Sequence, residues 1–163
     1  MNTFQLYHAA LSDPCLKRCF GGVYASDTLP PKRRGRAFII NLDKSSLPGS
    51  HWVAVYFKRK RVYYYDPYGI KPFLPSILNF IKRNNIQYNK IQHQSPSSES
   101  CGYYCLYFLY RACRDLKIKK LNDNSVRVFF KKHFDCGQGC VPFRVGKVGV
   151  SSVNNCGRIA SSR

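Results

Sequence analysis

Two stretches rich in valine and aromatic residues, 51–57 and 62–66, flank Lys58-Arg59-Lys60-Arg61 and predict a β-hairpin with a basic tip. An antiparallel hairpin sets the start of one strand beside the end of the other. His51 and Asp66, fifteen positions apart, thereby become cross-strand neighbours, close enough for a carboxylate to hold an imidazole. This spacing has a geometric meaning before any chemistry is assigned to it.

Other segments extend the pattern. Residues 37–42 read as a buried strand, and Pro48-Gly49-Ser50 is a turn that delivers His51 to the head of its strand. Leu74, Ile77, Leu78 and Ile81 recur at helical spacing and predict an amphipathic helix ending near residues 82–85. Residues 86–92 can form a further strand leading to Gln94. The Ser-rich loop 95–100 then precedes an almost wholly apolar segment, 101–113, with the length and character of a helix buried in the core. Residues 3–12 predict a short helix, with Phe4, Tyr7 and Leu11 on one face. Val126, Phe129 and Phe130 mark a last helix capped by Asp123, Asn124 or Ser125. We expect one domain over residues 1–135 and an extended arm over 136–163, which is rich in Gly, Ser and Val.

The charge narrows the partners. Twenty-seven Lys and Arg against eight Asp and Glu give a net charge of +19, an imbalance that favours polyanions such as double-stranded DNA. Candidate phosphate contacts are Lys32, Arg33, Arg34 and Arg36 in a basic loop and Lys58, Arg59, Lys60 and Arg61 at the hairpin tip, with further clusters at 117–120 and 131–132. The sequence holds no run of about 18 apolar residues and no signal-like start, so a membrane partner is not expected. Eight cysteines in such a chain are expected to be reduced. His133, Cys136, Cys140 and Cys156 lack the paired spacing of a zinc site, and no metal is expected.

Cys101 stands where a loop enters the apolar helix, a place where the helix dipole and a nearby imidazolium favour the thiolate. Gly102 allows close backbone approach there. Gln94, seven residues upstream, can offer amide donors. Taken singly, each residue has a plainer role: a structural thiol, a strand-end histidine, a turn-capping aspartate. In the order His51, Asp66, Gln94, Cys101 they form the parts of a nucleophilic acyl-transfer site.

The segments Gly49-Ser50-His51-Trp52, Asp66-Pro67-Tyr68-Gly69, and Gln94 through Cys101-Gly102-Tyr103-Tyr104-Cys105 resemble the adenovirus endopeptidase (adenain) family. Cys19-Phe20-Gly21-Gly22-Val23-Tyr24 resembles its N-terminal region, so the likeness covers roughly residues 13–112. The resemblance implies an α+β fold: a central, mostly antiparallel sheet packed by helices, with the nucleophile at the N-terminus of a buried helix. It implies Cys101 as nucleophile, His51 as acid–base partner, Asp66 as its orienter and Gln94 with the Cys101 amide as oxyanion donors. Aspartate at position 66 departs from the glutamate of many adenoviral members.

The resemblance further implies a monomeric thiol protease of the host nucleus and virion that cleaves viral capsid and core precursors with DNA as activator. No cysteine lies about eleven residues before Gln94, so a disulfide-linked activating peptide is not expected. The wider clan includes SUMO-deconjugating proteases, which typically space Gln and Cys by six rather than seven. Deconjugation of a ubiquitin-like modifier is therefore the alternative within hydrolases. A basic DNA-binding virion protein with an inactive site is the alternative outside them.

Overall fold

A computed structural model describes residues 1–82 and 85–134. Its centre is a five-stranded sheet in the order β1 (Phe20–Ala25), β2 (Ala37–Asn41), β3 (Trp52–Lys58), β4 (Arg61–Tyr65), β5 (Asn85–Tyr88). The three inner strands are antiparallel, while β1 runs parallel to β2 and β5 parallel to β4. The expected α+β fold is present, with a mixed rather than mostly antiparallel sheet. The parallel edges arise because β1 and β5 reach the sheet through crossovers, which local hairpin signals do not reveal.

β3 is buried along its length except at Lys58. Alternation along it sends Ala54 and Tyr56 to one face and Val53, Val55 and Phe57 to the other, so each face carries a core. On the first face lies α4 (Cys101–Cys113), eight of whose residues are buried, with α1 (Thr3–Ser12), α2 (Pro14–Lys17) and α5 (Asp123–Phe134) around it. A helix apolar on nearly every side has no solvent face to offer, and each buried Leu or Phe contributes about 1.5–3 kcal/mol. On the second face Ile77 and Ile81 of α3 (Pro75–Ile81) cover Phe38, Ile40 and Val62. Leu74 stays extended before Pro75, whose fixed φ opens that helix.

Three expectations change in detail. α1 forms as predicted, but it packs through Leu6, Ala9 and Ala10, while Phe4 and Tyr7 are exposed. Both stripes have helical periodicity, and the smaller one fits the close approach of α1 to α4. α5 is capped one residue earlier than expected, by Asn122, whose Oδ1 accepts from the Ser125 amide at 2.8 Å. β5 ends at Tyr88, and all four of its residues are exposed. The C-terminal extension expected over 136–163 lies outside the described residues.

β3 also sets the layout of function. Its seven residues span about 23 Å at the usual strand rise. His51 precedes one end and the hairpin tip Arg59-Lys60 follows the other, with Arg59 in the left-handed region at φ 55°.

Candidate active site

Delivery of His51 depends on Gly49. Its φ is +89°, and a Cβ there would stand 2.5 Å from Nδ2 of Asn41. His51 then ties to the sheet through its carbonyl, which accepts from the Leu42 amide at 3.0 Å. Its Nε2 lies 2.8 Å from Oδ1 of Asp66. Asp66 follows β4 and is fully buried. Asn89 clamps it: Oδ1 of Asn89 accepts from the Asp66 amide at 2.9 Å, and Nδ2 donates to the Asp66 carbonyl at 2.6 Å. The Tyr68 amide donates to the same Asp66 Oδ1 at 2.8 Å, whereas Oδ2 has no hydrogen-bond partner among the described residues.

Cys101 is the first residue of α4 and is 8% exposed. The cap residue Ser100 makes no side-chain capping bond. Ser100 is itself held, its Oγ accepting from Arg127 Nε of α5 at 3.1 Å. Cys101 and His51 act on each other's protonation. Burial pushes the Cys101 thiol up, but the bond with His51 and the Trp52 and Gly102 amides outweigh it and hold the thiol below its ordinary value. Burial likewise disfavours the His51 cation, yet the bonds to Asp66 and Cys101 raise it to about 9. Both shifts favour a thiolate beside an imidazolium. One turn on, Cys105 is fully buried, donates to the Trp52 carbonyl at 3.3 Å and is pushed far up by burial, as befits a small apolar filler.

Gly102 has a further reason to be glycine. A Cβ there would lie 3.0 Å from Cδ2 of Leu6 and 3.2 Å from Cβ of Met1, so the close approach is that of the N-terminal segment. The Trp52 indole donates to the Met1 carbonyl at 3.1 Å and fixes the same contact.

Gln94 is buried beside this group. The Pro67 carbonyl accepts from the amides of His93 at 2.9 Å and Gln94 at 3.1 Å. Gly69 lets the turn and the 91–94 segment meet: its φ is +75°, and a Cβ would come within 2.9 Å of the Ile91 backbone. The Gln94 side-chain amide donates to the Ser98 carbonyl and, at 3.3 Å, to the Tyr68 hydroxyl. The Tyr68 ring stacks on His51 with centroids 4.7 Å apart. Tyr68 thus links Gln94 to the Cys101–His51 pair. It stands inside a motif quoted above, but its role could not be read from spacing. Asn89 gave no signal at all.

The basic segments gather at the opposite end of the sheet. The Arg33 guanidinium lies 3.7 Å over the Phe57 ring, and the Arg36 carbonyl accepts from the Phe57 amide at 2.8 Å. The Lys60 carbonyl accepts from the Asn85 amide, and Lys58 pairs with Asp115 at 2.6 Å. Loop 30–36 and tip 58–61 therefore form one basic pole. Among the described residues, no group of three His, Cys, Asp or Glu could hold a metal, and Cys15, Cys19, Cys101, Cys105 and Cys113 are free thiols. His133 packs on Phe129 and Tyr110, whereas Cys136, Cys140 and Cys156 lie outside the described residues. No described helix is long and apolar enough to cross a membrane.

No family model matches the chain. It is 33% identical over 103 residues to a protein of Acanthamoeba polyphaga mimivirus that carries the name of a thiol protease, covering 55% of this chain. The match takes in 34% of that relative, so the chain spans about a third of its length. Among solved structures, an ASFV protease is similar with a TM-score of 0.57 at 16% identity, over 82% of this chain and 66% of the other, just under two thirds. A SUMO protease with its catalytic cysteine oxidised to a sulfinic acid gives 0.50 at 13% identity, over 80% and 74% of the two chains. The likeness is one of fold, an α+β arrangement shared with the ASFV protease and the SUMO protease. The narrower adenoviral resemblance rests on the sequence motifs alone.

Proposed function

We propose that this chain is a cysteine endopeptidase. The Cys101 thiolate adds to a scissile carbonyl, and the developing oxyanion meets the Cys101 amide and a side-chain donor anchored at Gln94. Protonated His51 gives its proton to the leaving amine, and an acyl-enzyme forms on Cys101. His51, now neutral, takes a proton from the water that releases the acyl group, while Asp66 keeps the ring oriented. One observation carries this reading: at the start of α4 the sulfur of Cys101 and the imidazole of His51 bias each other toward thiolate and imidazolium, and a buried carboxylate holds that imidazole.

The viral relatives and the charge of +19 support a narrower role, maturation of virion precursor proteins in the host nucleus with stimulation by double-stranded DNA at the basic pole. The SUMO-protease likeness favours a second reading, removal of a ubiquitin-like modifier. The decisive experiment compares the chain with Cys101→Ala on a panel of glycine-containing peptides, with and without DNA over a salt series, and on a SUMO-type fusion. Hydrolysis of short peptides, lost in the variant, is expected. Cleavage of the folded fusion alone selects the second reading, and full activity of Cys101→Ala rejects both.

A further inference from the structure

The side-chain amide of Gln94 has two N–H donors, and both are engaged: one on the Ser98 carbonyl, the other on the Tyr68 hydroxyl at 3.3 Å. Its amide cannot be turned over, because Oε1 would then face the Ser98 carbonyl, acceptor against acceptor. Gln94 is also only 2% exposed. Tyr68 is half-buried, its ring lies on His51 with 24° between the planes, and its own hydroxyl proton goes to no acceptor among the described residues.

Resting on the peptidase reading above, we propose that the Tyr68 hydroxyl is the side-chain donor to the oxyanion, and that Gln94 acts through it as a positioning residue. A hydroxyl that accepts from an amide donates more strongly through its own O–H. Its position is apt as well. The ring that bears it lies on His51, the partner of the sulfur, and the negative charge of Cys101 acts on the phenol. Burial, and after it the charges of Cys101 and Asp66, keep the phenol above its ordinary value, so the proton needed for donation is present at neutral pH.

The test uses two reactions of the same sulfur. Iodoacetamide alkylates the Cys101 thiolate by displacement at a saturated carbon, with loss of iodide and no oxyanion. With p-nitrophenyl acetate the thiolate adds to a carbonyl, a tetrahedral oxyanion forms, p-nitrophenolate leaves and a thioester remains on Cys101. Tyr68→Phe retains the ring on His51 and removes only the hydroxyl. With Cys101 followed by peptide mapping, this variant should acylate on the order of 10–100-fold more slowly and alkylate within about twofold of the parent. Acylation at the parent rate, or acylation and alkylation falling together, overturns the proposal; the latter result would make Tyr68 a mere support for His51. If Cys101 of the parent protein alkylates at pH 6 no faster than a free thiol, the peptidase reading itself fails, and this proposal with it.

Discussion

His51 Nε2 lies 2.8 Å from Oδ1 of Asp66, which leaves Nδ1 as the nitrogen free to serve Cys101. Asp66 can serve as the anchor because nothing about it is free to move: its backbone is clamped by Asn89 and its side chain is buried. Replacing it by asparagine removes the negative charge that supports the imidazolium while leaving the shape. We expect Asp66→Asn to lower kcat/KM by roughly 10²–10⁴-fold, as loss of the orienting carboxylate does in related catalytic geometries. Iodoacetamide alkylation of Cys101 should fall strongly at pH 6 and converge with the parent at pH 10, where both sulfurs are thiolates. Equal rates at pH 6 would dissociate Asp66 from the ion pair.

The same pair sets the pH response. Cys101 loses its proton below the ordinary thiol range, and His51 keeps its own up to about 9. Below the first transition the nucleophile is protonated, and above the second the general acid is absent. Turnover of a glycine-containing peptide should therefore follow a bell, with the alkaline limb near pH 9 and the acid limb below the ordinary thiol range. Alkylation has no need of a general acid, so its rate should stay high through the alkaline limb. A peptidase profile centred near pH 6 would contradict the raised His51.

The legible parts of this site are those joined by short, regular segments. A hairpin with a two-residue tip carries its register in its length, so the His51–Asp66 approach could be inferred from alternation and spacing. The apolar run from Cys101 announced α4 with its correct ends. What stayed hidden depends on contacts between distant segments. Asn89 reaches Asp66 from 23 positions away, and nothing in either neighbourhood demands it. The face α1 buries is chosen by the space beside Gly102, so the aromatic stripe at Phe4 and Tyr7, equally periodic, is the one left outside. Rings such as Tyr68 show their partners only once the turn that bears them is folded against the 91–94 segment.

Gly69 should be among the positions least tolerant of a methyl group. Its φ of +75° already disfavours an L side chain, and the added carbon would strike the Ile91 backbone at 2.9 Å, which cannot swing aside as a side chain can. Gly69→Ala should cost about 1–3 kcal/mol of stability, read by thermal or denaturant unfolding. The loop it displaces carries His93 and Gln94, so acylation by p-nitrophenyl acetate should drop more than the fraction unfolded explains. An unchanged melting temperature would show that the turn has room the close contact denies.

The basic pole allows a test independent of catalysis. Arg59, Lys60 and Arg61 are exposed at a hairpin tip far from Cys101, so changing all three to glutamine should leave the fold and iodoacetamide reactivity as they are. Each phosphate contact contributes about 0.9 to the slope of log affinity against log salt for duplex DNA. If these side chains sit on the DNA backbone, the slope should shrink by roughly two to three, whatever the base sequence. Peptide hydrolysis without DNA should match the parent, and stimulation by DNA should need more of it. Unaltered slope and affinity would move the contact surface elsewhere, with the loop at Lys32–Arg36 the next to be changed. Arg33 there is pinned over Phe57 at 3.7 Å and so presents its charge with little ordering left to be done on binding.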